Sequence, residues 1–75
     1  MARAARKLVI CLDNAGYEAS LERHKIYVAL PDPQAEKLGQ FRVIDESGED
    51  YLYDKAAFRE VSLPPSIRRA VLTAA

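Results

Sequence analysis

Residues 43–53 read VIDESGEDYLY, placing four carboxylates (Asp45, Glu46, Glu49 and Asp50) around one Ser-Gly pair. Such a cluster suggests a cation site or a pair of acid/base catalysts. The spacing fits neither. A calcium loop of the EF-hand kind puts acids at alternate positions with glycine sixth and a late glutamate. Here the acids are adjacent, and Gly48 comes fourth from Asp45. Acid/base catalysis needs carboxylates in different environments flanking a cleft. Neighbours at the tip of a turn share one wet environment. The simplest reading is a turn: aspartate suits the first position of a type I turn, and Gly48 suits the left-handed position of a G1 bulge. That hairpin loop pairs Asp45 with Glu49, Val43 with Tyr51 and Phe41 with Tyr53. A two-residue Ser-Gly loop would pair Val43 with Leu52 instead. The first register is preferred because it uses both turn signals, and it leaves the acids solvated at the tip.

The other reactive residue types are isolated. Ser20, Ser47 and Ser66 lie in no nucleophile-elbow context. Gly16, Gly39 and Gly48 are too scattered for a phosphate loop. His24 stands between Arg23 and Lys25 and reads as a surface histidine. Cys11 is the only cysteine, which rules out an intramolecular disulfide, and it reads as a small buried hydrophobe. No catalytic residue, cofactor or metal ligand set is expected, and the chain reads as a non-enzyme.

The elements that would position the acids follow from periodicity and punctuation. Seventy-five residues make one small domain with a thin core. Its 49% hydrophobic and 29% charged composition is that of a folded globule. Residues 1–7 read as a flexible basic end. Leu8–Leu12 is an apolar run without alternation, expected to be a strand covered on both faces. GYEASLERHK reads as a long ordered loop. KIYVAL alternates and is stopped by Pro31 and Pro33. DPQAEKLG suits a helical turn or a loop, with Pro33 at a first helical position and Gly39 as a C-terminal cap. FRVID, DYLYD and FREVSL are strands, Pro64-Pro65 end the sheet, and residues 64–75 carry a short helix. The expectation is a mainly β fold: a small barrel of about five short strands over residues 8–63, with a short C-terminal helix packed on it. The hairpin is apolar on both faces, with Phe41, Val43, Tyr51 and Tyr53 on one side and Ile44 and Leu52 on the other. Ile67 and Val71 of the helix are expected to cover the second face.

The stretch from Lys25 to Leu63 (KIYVALPD, FRVIDESGEDYLYD and AAFREVSLP) resembles a group of small, largely uncharacterised bacterial proteins with an SH3-like β-barrel. GYEASLERHK matches the long loop before their first aromatic strand. Asp54 stands where that pattern has proline. The resemblance implies a fold and supplies no catalytic residues. By analogy with peptide-binding barrels it directs attention to the tyrosines, Tyr17, Tyr27, Tyr51 and Tyr53.

Net charge is zero but unevenly spread. Residues 1–44 carry seven bases and five acids, residues 45–54 five acids and no base, and residues 55–75 four bases and one acid. The dominant basic footprint of a nucleic-acid binder is missing. The expected function is protein binding through an aromatic and acidic surface formed by Tyr27, Tyr51, Tyr53, Asp45, Glu46, Glu49 and Asp50. The alternative is weak nucleic-acid binding through Arg3, Arg6, Lys7, Arg68 and Arg69, should the two ends meet. The cysteine usage suits a reducing cytoplasm, no leader pattern opens the chain, and its longest apolar run is too short for a membrane span.

Overall fold

The computed structural model describes residues 6–74; Arg3 lies outside them. Strand β1 (Lys7–Cys11) is an inner strand of a five-stranded antiparallel sheet. It pairs with β2 (Ile26–Leu30) on one side and with β5 (Phe58–Val61) on the other. β3 (Gln40–Ile44) and β4 (Asp50–Asp54) extend the sheet beyond β2, giving the order β4-β3-β2-β1-β5. The fold is mainly β, with a short C-terminal helix. Lys7, read from the sequence as part of a flexible end, opens β1 and pairs with Ala29.

Alternation divides the sheet into two faces. Val9, Cys11, Tyr27, Ala29, Phe41, Val43, Tyr53 and Phe58 point inward and form one core with Leu21 from the β1–β2 loop. Leu8 and Val28 point the other way and are also buried. β1 is thus covered on both faces, which its unbroken apolar run foreshadows. The ends of the sheet approach each other through rings: Tyr53 of β4 and Phe58 of β5 stand edge to face, centroids 6.0 Å apart. A single 3₁₀ turn, Lys55–Ala57, joins these strands, with the Asp54 side chain accepting from the Ala56 amide.

The β2–β3 connection contains helix α1 (Pro33–Lys37). Asp32 caps its N-terminus by accepting from the Ala35 amide, Pro33 occupies the first turn, and Gly39 follows with φ +76°. Helix α2 (Pro65–Ala74) closes the chain. Val71 shares a groove with Ile26, Val28 and Ile44 on the outer face of the sheet, as the apolar second face requires. Ile67, expected to cover that face, is half exposed, and so is Leu52 at its far edge. Val71 is thus the one residue of the helix that lines this groove, and no described side chain of α2 is buried.

Candidate functional site

The β3–β4 hairpin has the three-residue loop. Val43 pairs with Tyr51 and Phe41 with Tyr53. The Gly48 amide donates to the Asp45 carbonyl, the Asp45 amide donates to Glu49, and Gly48 has φ +83°. A side chain would be strained there, so glycine fixes the register.

The acids at this turn do not share one environment, which corrects the reading of a uniformly solvated tip. Asp45 is only 6% exposed. Its carboxylate accepts from the Ser47 amide at 2.9 Å, the Ser47 hydroxyl at 2.5 Å and the Tyr53 hydroxyl at 2.7 Å. Burial pushes the Asp45 carboxyl up, but the bonds from Ser47 and Tyr53 outweigh it and hold the group below its ordinary range. Glu46 accepts from Lys25 at 2.7 Å and from the Tyr27 hydroxyl at 2.5 Å. Asp50 pairs with Arg42, which also reaches Asp32. Glu49 is exposed and has no ion pair among the described residues.

The tyrosines divide the same way. Tyr27 and Tyr53 are each 5% exposed, with rings in the core and hydroxyls bonded to Glu46 and Asp45. Neither ring is presented to solvent, so with Asp45 they belong to the interior of the fold. Tyr51 is half exposed. It faces a groove of about 400 Å³ lined by Tyr17, Ser20, Asp45, Ser47, Tyr51, Leu52 and Tyr53. Tyr17, also half exposed, stands edge-on to Tyr53 with centroids 5.1 Å apart.

Tyr17 is held there by an ordered loop. Its amide donates to Asn14, and the amides of Ser20 and Leu21 donate back to Tyr17. Asn14 Nδ2 bonds the Leu21 carbonyl, and Leu21 is buried as the loop's apolar anchor. The Glu46 amide donates to Ser20, tying the loop to the hairpin. Two half-exposed rings and Leu52 thus surround a floor made by the buried Tyr53–Asp45 pair. The sequence named Tyr17 as an aromatic candidate without placing it; the signal that it matters is a tyrosine just after Gly16 in a turn-rich loop. Ser20 and Leu52 carried no such signal.

The basic ends do meet. Arg68 donates to the Arg6 carbonyl, and Arg6, Lys7 and Arg68 line a second cleft of about 810 Å³ between α1, β5 and α2. Asp32, Glu36 and Glu60 line it as well. Lys7 is paired to Glu36 at 2.7 Å and lies 3.9 Å from Glu60. Arg69 borders a separate shallow depression with Leu72 and Thr73. Cys11 is fully buried, and burial pushes its thiol up. His24 is exposed. Among the described residues no cluster of three His, Cys, Asp or Glu side chains is arranged to hold a metal, and no helix is long and apolar enough to cross a membrane.

The structure defines a small antiparallel β-sheet protein with a tyrosine-lined groove beside its last hairpin. Comparison with protein-family models, with curated proteins and with solved structures finds no match.

Proposed function

We propose that this chain is a non-catalytic, SH3-like binding module that holds a segment of another protein in the groove between Tyr17 and Tyr51. The carrying observation is the pair of half-exposed tyrosine rings flanking a preformed floor. A tyrosine gives a ligand a large flat apolar contact with a polar tip, at small cost in side-chain entropy. Both sides of the groove are fixed before a ligand arrives, by the hairpin register and by the Glu46–Ser20 bond. Little ordering entropy is then lost on binding. The small-barrel reading is supported by the meander β1 to β4 with β5 returning to pair with β1, the long first loop and the Tyr53–Phe58 contact between the sheet ends. The acidic hairpin favours a segment with lysine or arginine beside apolar residues.

The test uses Tyr17→Ala and Tyr51→Ala, because neither ring is in the core. Each variant is first shown to keep the wild-type circular dichroism spectrum and unfolding midpoint. A partner captured from the native cell by the wild type and lost by both variants supports the reading. Retention by both variants overturns it.

A second reading, nucleic-acid binding, rests on the convergence of Arg6, Lys7 and Arg68. Three carboxylates in the same cleft offset those charges. Anisotropy titration of a single-stranded oligonucleotide against salt separates the two readings: a steep salt dependence would favour nucleic acid, and no binding at low salt removes it.

A further inference from the structure

We propose that the free edge of β4 takes up the bound segment as a sixth strand, and that this segment is basic. The inference rests on the groove reading above and specifies how the groove is used. Five observations carry it. β4 ends the sheet. The hairpin bonds fix the phase of the ladder: with Asp45 bonded to Glu49, alternation makes Val43–Tyr51 and Phe41–Tyr53 the hydrogen-bonded pairs. The backbone groups of Asp50 and Leu52 therefore point away from β3, and Leu52 makes no other backbone bond among the described residues. The groove runs beside this edge, with Leu52 and Tyr51 on one bank and Tyr17 and Ser20 on the other. Leu52 is 43% and Tyr51 50% exposed, so apolar side chains flank the edge on both faces. No proline interrupts β4, whereas β5, at the opposite end of the sheet, is followed after Ser62 and Leu63 by Pro64-Pro65.

Charge decides the occupant. Residues 45–54 carry five acids and no base; Asp45 is buried, and Lys25 and Arg42 pair with Glu46 and Asp50, so Glu49 and Asp54 stay exposed with no ion pair among the described residues. A second copy pairing antiparallel through Leu52 would set each Asp50 opposite Asp54 of the other copy. Like charges directly opposed destabilise a strand pair, and acidic edges block self-association. A strand with lysine or arginine at those positions meets complementary charge, while its backbone completes the bonds Leu52 leaves open.

The experiment titrates the isotope-labelled protein with a blocked pentapeptide of three valines between two lysines, followed by amide NMR shifts and hydrogen exchange. Binding centred on Leu52, with exchange of its amide slowed at least tenfold, is expected. A peptide with glutamates in place of the lysines should not bind. N-methylation of alternate peptide amides should weaken binding about tenfold or more for the set facing β4 and leave it unchanged for the other set. Leu52→Pro, which removes an outward-facing donor, should abolish binding while keeping the hairpin; should it unfold, the methylated peptides still decide. Binding that survives both methylations but is lost in Tyr51→Ala overturns strand addition and leaves the groove reading standing. Binding that ignores Tyr17→Ala and Tyr51→Ala but requires the Leu52 amide overturns the groove reading alone. No binding of the lysine peptide, or a dimer protected along β4, overturns the inference.

Discussion

The Tyr53 hydroxyl donates to Asp45 Oδ2 at 2.7 Å, joining two buried residues eight positions apart, one opening the hairpin turn and the other on β4. The bond satisfies a carboxylate withdrawn from water and fastens the turn to the core ring beneath the groove. Tyr53→Phe keeps the ring and removes one donor from a buried charge. Such a loss costs about 1–3 kcal/mol, a large share of the stability of so small a domain. Urea unfolding at neutral pH is expected to show a lower midpoint with unchanged slope. An unchanged midpoint would mean that water replaces the hydroxyl.

Acid should weaken the fold through three carboxyls. Asp32 is held low by the Ala35 amide and Arg42, Glu46 by Lys25 and Tyr27, and Asp45 by Ser47 and Tyr53 against the opposing effect of burial. A folded-state value below the unfolded one contributes stability that is present above the unfolded value and lost as pH falls through the folded one. The unfolded values are 3.8 for aspartate and 4.5 for glutamate. The urea midpoint should therefore be level above about pH 5 and fall steadily below about pH 4. Asp45→Asn removes one titrating group and should shallow that fall, which a midpoint series from pH 7 to pH 2.5 would show.

Alkali should act through the buried phenols. Burial, then the bond to Asp45, pushes Tyr53 up to about 12, and burial, then the bond to Glu46, pushes Tyr27 higher still. Here the folded value exceeds the unfolded 10.0. The stability is complete below that point and is lost as pH climbs toward the folded value, because the unfolded chain ionises first. Lys7 and Lys25, raised by their bonds to Glu36 and Glu46, act in the same direction above 10.5. The thermal midpoint should fall between about pH 10 and pH 12. The Tyr27→Phe/Tyr53→Phe double variant starts lower and should fall less steeply, which separates the phenols from the lysines.

Local chemistry made the hairpin legible in the sequence, and tertiary chemistry hid its electrostatics. Asp45 at the start of the turn and Gly48 at the bulge suffice to set Val43 against Tyr51, because both requirements lie within four residues. Pro33 and Gly39 mark the ends of α1 for the same reason. In the letters, Asp45, Glu46 and Glu49 look alike. They differ because Tyr53 reaches back across the strands to one, Lys25 and Tyr27 reach from β2 to another, and nothing among the described residues reaches the third. Alternation placed Tyr27 and Tyr53 on strands, but which of their faces is core depends on the β1–β2 loop closing over the sheet. That loop has no hydrophobic period. Its course is set by the buried Leu21 and by the Asn14 and Glu46 bonds, so the meeting of Tyr17 with Tyr53 had no sequence signal. Ile67 and Val71 share a helical stripe, yet only Val71 reaches the groove over β2 and β3.

His24 closes the β1–β2 loop at a backbone cost. It has φ +70°, the one positive value outside glycine among the described residues, and its amide donates to the Cys11 carbonyl at 2.6 Å. The left-handed conformation costs an L side chain about 1–2 kcal/mol relative to glycine. The imidazole is exposed and makes no hydrogen bond within the described residues, so its removal sacrifices no contact that would offset the relief. Glycine also gains freedom in the unfolded chain, which cancels part of the benefit. His24→Gly should therefore stabilise the domain by about 0.5–1 kcal/mol, read as a higher thermal midpoint. His24→Ala keeps the strained backbone and should not stabilise. A gain in the alanine variant equal to that in glycine would place the strain in the imidazole rather than in the main chain.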